Sequence, residues 1–422
     1  MKRNQPRSVP DAPGVPARRA ALQLLDAVLR RGLALEQALD KAAQGLPSSD
    51  RGLAHAIAAE TLRRLPDLDA LIDGATQRPL PDDAKARFAL RIALVQALVL
   101  GTPGHAAIST VLPLVDGGPR KLVHGVFGTV TRSGALLPEP PTLPDAVALR
   151  WHAAWGDQMI EDAELAIAVP PPLDLTTTAP LDLEDAVSLL PGHARLPAGT
   201  SVMELPGFAE GRFWVQDLAA SLPARLIGKG NGAALDLCAA PGGKTLQLAS
   251  AGWDVTAVDV SESRLARLRE NLERTGLNAK VVAADLLLWK PGELADAVLL
   301  DAPCSATGIF RRHPDVLHRV RPSLIAEMAE LQGKLLHRAS GWVKPGGILV
   351  YATCSLEPQE GELQLERFLA HHPGFAIDPE RADELPEGVE ALENGTLRLH
   401  PGMLAAKGRL DGFFIARLRR NA

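Results

Sequence analysis

The sequence predicts a multidomain protein: an all-α bundle, then a small α+β module, then an α/β domain on a doubly wound sheet. Three observations carry this. Apolar residues recur at helical spacing through the first third of the chain, and a Pro-rich break follows. After about residue 206, short apolar runs alternate with amphipathic ones, as expected of parallel strands buried between covering helices. The length agrees, since 422 residues exceed one ordinary domain of roughly 100–200.

In "ARRAALQLLDAVLRRG", Ala21, Leu25, Val28 and Leu29 fall on one face and Gly32 supplies a stop. Phe88, Ile92, Val95 and Val99 repeat the pattern in "DDAKARFALRIALVQALVLG", so residues 1–138 are read as a helical bundle. "LLPEPPTLP" has the composition of an extended linker. Residues 139–205 combine this linker with a helix around Trp151 to Ala168, a short strand "LDLTTT" and a further helix in "PLDLEDAVSLLPGH". Residues 206–422 read strand "AALDLCAAP", helix from Lys244, strand "DVTAVDV", helix from Ser261, then strands "AKVVAAD" and "DAVLLDAP". A long helix from Pro322, strand "GILVYATCS", another helix and strand "GFFIARL" complete the domain. Ligands of such sheets bind at the carboxyl ends of the strands.

Hydrophobic residues make up 46% and charged residues 23%, a soluble globular balance. "MKRNQPRSVPDAPG" lacks the apolar stretch of a secretory signal, so a cytoplasmic protein with reduced thiols is expected, without a membrane span. Cys238, Cys304 and Cys354 are far apart, with no CxxC or nearby Cys/His set, and no metal is expected. A net charge of -5 argues against coating nucleic acid by bulk charge. Two local clusters are candidates for phosphate contacts: Lys2, Arg3, Arg7, Arg18, Arg19, Arg30 and Arg31 at one end, and Arg417, Arg419 and Arg420 at the other. Solvated faces explain each cluster equally well.

"LDLCAAPGGKTLQLA" reads as strand, tight glycine turn and helix, with Gly242 and Gly243 allowing close backbone approach and the helix offering unpaired N–H groups. A Walker-type phosphate loop would need glycine where Cys238 stands, and no GxGxxG occurs. S-adenosylmethionine fits better. Asp259 ends the second strand 17 residues after Gly242, where a carboxylate can accept both ribose hydroxyls, and Asp285 at the end of the third is placed for the adenine. The bland reading of one strand-end aspartate is a helix or turn cap; two at successive strand ends behind a Gly-Gly turn weaken it.

Asp301, Pro303 and Cys304 close the fourth strand and Cys354 the fifth. If these strands are neighbours, two thiols and a carboxylate face one crevice. That set suits methylation of carbon-5 of a pyrimidine: a thiolate adds to carbon-6, carbon-5 becomes nucleophilic, and a base then removes its proton as the thiol leaves. A carboxylic acid near ring nitrogen-3 assists, and Asp301 has that position. A thiol with pKa about 8.5 needs nearby positive charge, for which Lys244, Arg311 and Arg312 are candidates; the same three are candidate RNA contacts. A single buried strand cysteine is usually a small hydrophobe, and Cys238 keeps that reading. Between Cys304 and Cys354 the spacing does not choose.

With these residues, the chain resembles the NOL1/NOP2/Sun family of RNA cytosine-C5 methyltransferases, and within it the bacterial Sun (RsmB) subgroup. The motifs are "VQDLAAS", "DLCAAPGGKT", "AVDVSESRL", "DAPCSATGIFRRHPD", "YATCSLEPQEGE" and "DGFFIARL", in order across about 210 residues. The helical third resembles the NusB-type RNA-binding module of that subgroup. The resemblance implies a Rossmann-like class I methyltransferase domain whose S-adenosylmethionine site is lined by Cys238, Ala239, Ala240, Pro241, Gly242, Gly243, Lys244, Asp259, Asp285 and Asp301. It implies Cys354 as nucleophile and Cys304 as the group assisting product release, whereas DNA cytosine methyltransferases attack from a Pro-Cys motif. It also implies a cytosine of small-subunit (16S) ribosomal RNA, met before full assembly, as substrate of a monomeric enzyme. The chain departs from the family at Ala306, where glycine is expected, at Gly125 and Gly128 in a helix usually more basic, and in "LDLTTT", which lacks an Arg-Asn pair.

The same chemistry on transfer RNA or 23S ribosomal RNA is disfavoured by the NusB-like module. A non-catalytic assembly factor is disfavoured because both cysteines and all three strand-end acids are present.

Overall fold

The computed structural model describes residues 11–379 and 384–422, so Lys2, Arg3 and Arg7 of the N-terminal basic cluster lie outside the described residues. The chain forms two compact units: residues up to Leu149 together with His313–Arg319, and Arg150–Arg312 together with Val320–Ala422.

The first unit holds helices α1 (Val15–Leu29), α2 (Leu35–Ala42), α3 (Ser48–Arg63), α4 (Leu65–Gly74), α5 (Lys85–Leu98), α6 (Gly104–Val111) and α7 (Gly118–Arg132). Ala21, Leu25 and Val28 of α1 are buried as their spacing predicts, and Gly32 stands just past its end with a left-handed φ of 68°. Every residue of α5 from Ala86 to Gln96 is buried, which places it at the centre of the bundle, against α1, α3, α4, α6 and α7. Burial of Arg87 and Arg91 on this helix is compensated by Asp69 and Asp73 on α4. Gly125 and Gly128 do not interrupt α7. The Pro-rich stretch is anchored: Arg64 donates to the Pro138 carbonyl at 2.9 Å, and Asp67 accepts the Thr142 N–H at 3.1 Å.

A helical turn at Val316–Arg319 also belongs to this unit, which the sequence did not foretell. Asp315 accepts the Leu35 N–H at 3.3 Å and pairs with Arg319, while the His318 Nε2 meets the Leu62 carbonyl at 2.7 Å.

Helix α8 (Asp145–Trp155) leads into the second unit, followed by α9 (Asp157–Ala168). A small antiparallel sheet then forms from β1 (Leu173–Thr177), β2 (His193–Leu196) and β3 (Phe213–Val215) in the order β2-β1-β3. The helix expected within residues 180–193 is absent. Asp185 adopts a left-handed φ of 60°, and Leu181, Leu183 and Ala186 pack as an irregular cover on Leu175 and Phe213 rather than on one helical stripe.

The large sheet comprises β4 (Ala233–Leu237), β5 (Asp254–Asp259), β6 (Lys280–Ala283), β7 (Ala295–Asp301), β8 (Val343–Thr353), β9 (Phe375–Ile377), β10 (Leu397–Leu399) and β11 (Phe413–Arg420). Its order is β10-β11-β8-β7-β4-β5-β6, with β9 on β11. The pairs β8-β7, β7-β4, β4-β5 and β5-β6 are parallel. The sheet is nonetheless mixed, because β11 runs antiparallel to β8, β9 and β10. Helices α10 (Leu218–Arg225), α11 (Gly243–Ser250), α12 (Glu262–Thr275), α13 (Pro322–Ser340) and α14 (Glu362–His371) complete the unit. Ser261 caps α12, its hydroxyl accepting the Arg264 N–H. The strands carry apolar side chains to both faces, Leu299 and Val350 to one cluster and Leu300 and Tyr351 to the other, which is why they read as unbroken apolar runs. The chain reverses at β4, moving outward through β5 and β6 and returning at β7 on the other side. A crevice therefore opens between the ends of β4 and β7.

Candidate active site

Parallel register sets the ends of β4, β5, β7 and β8 along one edge, Leu237 opposite Val258 and Leu300, and Asp301 opposite Ala352. Cys238, Asp259, Asp301 and Cys354 thereby reach the same rim. The two candidate thiols meet there: Cys304 Sγ and Cys354 Sγ are 3.4 Å apart, a hydrogen-bond contact between free cysteines. Behind them the Gly308 N–H donates to the Cys354 carbonyl at 3.0 Å, and the Gly412 N–H to the Gly308 carbonyl at 2.8 Å. Gly308 has no alternative, because a Cβ there would overlap the Gly412 carbonyl.

Both turns into this rim are left-handed. Cys238 has φ 60° and Ala306 φ 59°, so Ala306, at the position where glycine is expected, holds the left-handed conformation that glycine favours. Gly242 has φ 110°, and its missing Cβ admits Leu268 of α12; close helix packing is the observed use of this glycine.

The Lys244 ammonium, only 11% exposed, donates to Asp301 Oδ2 at 2.7 Å and stands 5.7 Å from the Phe413 ring centre. Burial alone would lower its pKa; the charge and hydrogen bond of Asp301, with Asp236 and Cys354 adding, raise it instead. Lys244 is therefore a fixed cation at the thiol site. Burial, with the charges of Asp259 and Asp301 adding, pushes the Cys238 thiol up, and a protonated thiol suits a packing role. Asp259 accepts the Ala240 N–H at 3.1 Å and the Ser261 N–H at 2.8 Å, and Asp285 accepts the Leu287 N–H at 2.8 Å. Each thus acts as a turn cap, yet an ionised carboxylate has about four acceptor positions and keeps some for a ligand.

Asp236 went unnoticed in the sequence, although a charge inside the apolar run "AALDLC" was a signal. It is fully buried, takes the Thr245 hydroxyl on Oδ2 at 2.5 Å, and has no hydrogen-bond partner for Oδ1 among the described residues. Burial raises its pKa to about 7.

The two arginines of "FRRHPD" are held by the carboxylate of Asp411, which adjoins Gly412. Arg311 is 2% exposed, donates to the Gly408 carbonyl at 2.8 Å and faces Asp411. Arg312 pairs with Asp217 and Asp411 and donates to the Pro172 carbonyl at 3.1 Å. The Arg311 guanidinium is enclosed, whereas the Arg312 side chain keeps 25% of its surface exposed. The described residues of the basic clusters also have partners, although Arg19, Arg30, Arg31 and Arg419 stay 44–53% exposed. Arg18 donates to Gln96 at 2.8 Å, Arg19 pairs with Asp11, and Arg30 and Arg31 pair with Asp26. Arg417 pairs with Glu384 and Asp378, Arg419 with Asp378, and Arg420 donates to the Val343 carbonyl.

Known proteins match this arrangement. The profile of the 16S rRNA methyltransferase RsmB/F family matches residues 225–419, and that of the NusB family residues 15–131. Three proteins called ribosomal RNA small subunit methyltransferase B are similar over nearly the whole chain. That of Xanthomonas campestris pv. campestris is 37% identical, over 96% of this chain and 98% of its own. That of Pseudomonas syringae pv. tomato is 36% identical over 95% and 96%, and that of Klebsiella pneumoniae subsp. pneumoniae 33% over 96% and 98%. Among solved structures, the protein PH0851 shares the fold over 99% of this chain and 100% of its own, at TM-score 0.74 and 24% identity. A methyltransferase homolog protein from Pyrococcus horikoshii covers 66% of this chain and 95% of its own, at TM-score 0.54 and 28% identity.

Proposed function

The chain belongs to the RsmB/F family of 16S ribosomal RNA methyltransferases, with a NusB domain N-terminal to the methyltransferase domain, and from that membership we propose that it methylates carbon-5 of a cytosine in small-subunit ribosomal RNA through a covalent Cys354 adduct. The observation that carries the reading is the thiol pair, 3.4 Å apart at the ends of adjacent strands, on the same rim as the glycine turn.

S-adenosylmethionine fits the other half of the rim, and when bound it supplies an electrophilic methyl group. Residues Cys238–Lys244 would cradle it at the N-terminus of α11, Asp259 would accept the ribose hydroxyls and Asp285 the adenine. The unpartnered Oδ1 of Asp236 supports a polar ligand nearby. Cys354 Sγ, as thiolate, attacks carbon-6 of the cytosine, and the electron pair displaced from the carbon-5 to carbon-6 bond makes carbon-5 the nucleophile. Lys244 stabilises negative charge at the thiol site, and Asp301, in its protonated form, would donate a hydrogen bond to ring nitrogen-3 as negative charge builds there. Once carbon-5 carries the methyl group, Cys304 assists removal of its proton, the double bond re-forms and Cys354 is expelled. The target base has to be unstacked to be reached. A cytoplasmic monomer acting before full subunit assembly completes this reading. Among the described residues, no helix is long and apolar enough to cross a membrane.

The test is to incubate wild type, Cys304→Ala and Cys354→Ala with small-subunit rRNA and S-adenosylmethionine and to resolve protein–RNA adducts under denaturing conditions. Cys304→Ala accumulates an adduct and Cys354→Ala forms none. The opposite pattern exchanges the two roles, and no adduct with any variant removes covalent catalysis. Transfer RNA and 23S rRNA run in parallel address the other substrates, and bisulfite sequencing locates the base.

A further inference from the structure

Each cysteine of the pair is followed by a serine, and both serines converge on one carboxylate. Glu360 is fully buried, in the turn between β8 and α14. Its Oε2 accepts the Ser355 hydroxyl at 2.5 Å and also the Ser305 hydroxyl, the two hydroxyl oxygens being 3.3 Å apart. Its Oε1 accepts the Ser305 N–H at 2.8 Å and the Gln332 amide at 3.1 Å, and that amide also donates to the Pro303 carbonyl at 2.9 Å. The Glu360 carbonyl takes the Tyr351 hydroxyl at 2.7 Å and the Thr353 hydroxyl at 3.2 Å. One residue thus holds the segment before Cys354, the residue after it, and the residues on both sides of Cys304.

As a carboxylate, the Glu360 side chain accepts at both oxygens, two N–H groups on Oε1 and two hydroxyls on Oε2. Among the described residues Glu360 forms no ion pair, so its charge is neutralised only by hydrogen bonds. A buried charge of this kind is costly, and packing alone does not explain its retention. We propose that Glu360 is a positioning residue for the thiol pair: it locks Ser305 to Ser355, so that Cys304 and Cys354 stay in contact, and its charge directs reactivity to Cys354 by opposing a second negative charge at Cys304. The electrostatics of the site agree. Cys304 is pushed well above the usual thiol range, first by its hydrogen bond to Cys354, then by burial, then by the charges of Cys354 and Glu360. Burial raises the Glu360 carboxyl, and the bonds from Ser305, Ser355 and Gln332 act against that.

This rests on Cys354 being the nucleophile, but its test needs no RNA, so the two ideas fail separately. Wild type, Glu360→Gln and Ser355→Ala are labelled with limiting iodoacetamide at pH 8, and carboxamidomethyl peptides containing Cys304 and Cys354 are quantified by mass spectrometry. Wild type labels chiefly at Cys354. Glu360→Gln lowers the Cys354 to Cys304 ratio at least tenfold, and Ser355→Ala lowers it by a smaller factor, while both variants keep cooperative thermal unfolding. An unchanged ratio in the folded variants overturns the proposal. So does a ratio that moves only in protein that has lost its melting transition. If Glu360→Gln does not fold, Ser355→Ala decides alone by the same criterion.

Discussion

The Lys244 ammonium donates to Asp301 Oδ2 at 2.7 Å and so ties the cofactor turn to the end of the strand that leads to Cys304. Replacement of Lys244 by methionine keeps the length of the side chain and its packing beside Phe413 but removes the fixed cation. The Asp301 carboxylate is then left beside the thiols without a counter-charge. The single-turnover methylation rate on small-subunit rRNA should fall by about 100-fold, as for loss of one preorganised electrostatic contact. The melting temperature should stay within a few degrees of wild type. A rate within threefold of wild type would remove Lys244 from the chemistry.

Ala306 and Gly308, two residues apart in the loop behind Cys304, should respond in opposite directions. Ala306 sits at φ 59°, ψ 27°, where a Cβ costs about 1–2 kcal/mol. Ala306→Gly relieves this and loses part of the gain to the more flexible unfolded chain, for a net stabilisation of about 0.5–1 kcal/mol. Gly308→Ala drives a methyl group into the Gly412 backbone and should cost about 3 kcal/mol or more. Urea unfolding of the two variants against wild type measures both.

The parallel core and its rim were legible because β4, β5, β7 and β8 are apolar on both faces and end in chemically distinctive residues: Cys238, Asp259, Asp301 and Cys354. The antiparallel edge was not, since Leu397–Leu399 and Phe375–Ile377 are three-residue strands whose pairing with β11 depends on partners distant in sequence. The partners of Arg312 were not legible for the same reason: Asp217 and Asp411, each almost a hundred residues away, are brought to it by the fold. Glu360 and Asp236 are hidden differently: a carboxylate in a sequence reads as surface, and only burial against Ser305, Ser355 or Thr245 marks it as part of the site.

Glu357 is a further buried carboxylate, and this one has a cation. Arg150 meets it with two bonds of 2.9 and 3.1 Å, and the Trp151 indole donates to it at 3.1 Å. Glu357→Ala takes the acceptor from both donors and opens a void beside Trp151. The expected loss is about 3 kcal/mol, read as a shift in the urea midpoint. Arg150→Met should cost less than Glu357→Ala, because Arg150 is partly exposed at 18%. The double variant should be closer to Glu357→Ala than to the sum of the two, and strict additivity would mean that the pair is not coupled.

The helical unit should lose stability in mild acid through His318. Its Nε2–H donates to the Leu62 carbonyl, and burial holds its pKa down at about 4, against about 6.5 in the unfolded chain. The folded state therefore refuses a proton that the unfolded chain accepts. This contribution to stability is complete above pH 6.5 and declines as pH falls from 6.5 towards 4, with a cost of about 2 kcal/mol at pH 5. Glutamine can place an amide N–H where the Nε2–H stands but does not titrate. His318→Gln should then flatten the decline in urea midpoint between pH 7 and pH 5, with little change at pH 7.5. An equally steep decline in the variant would assign the acid sensitivity to other groups of the unit.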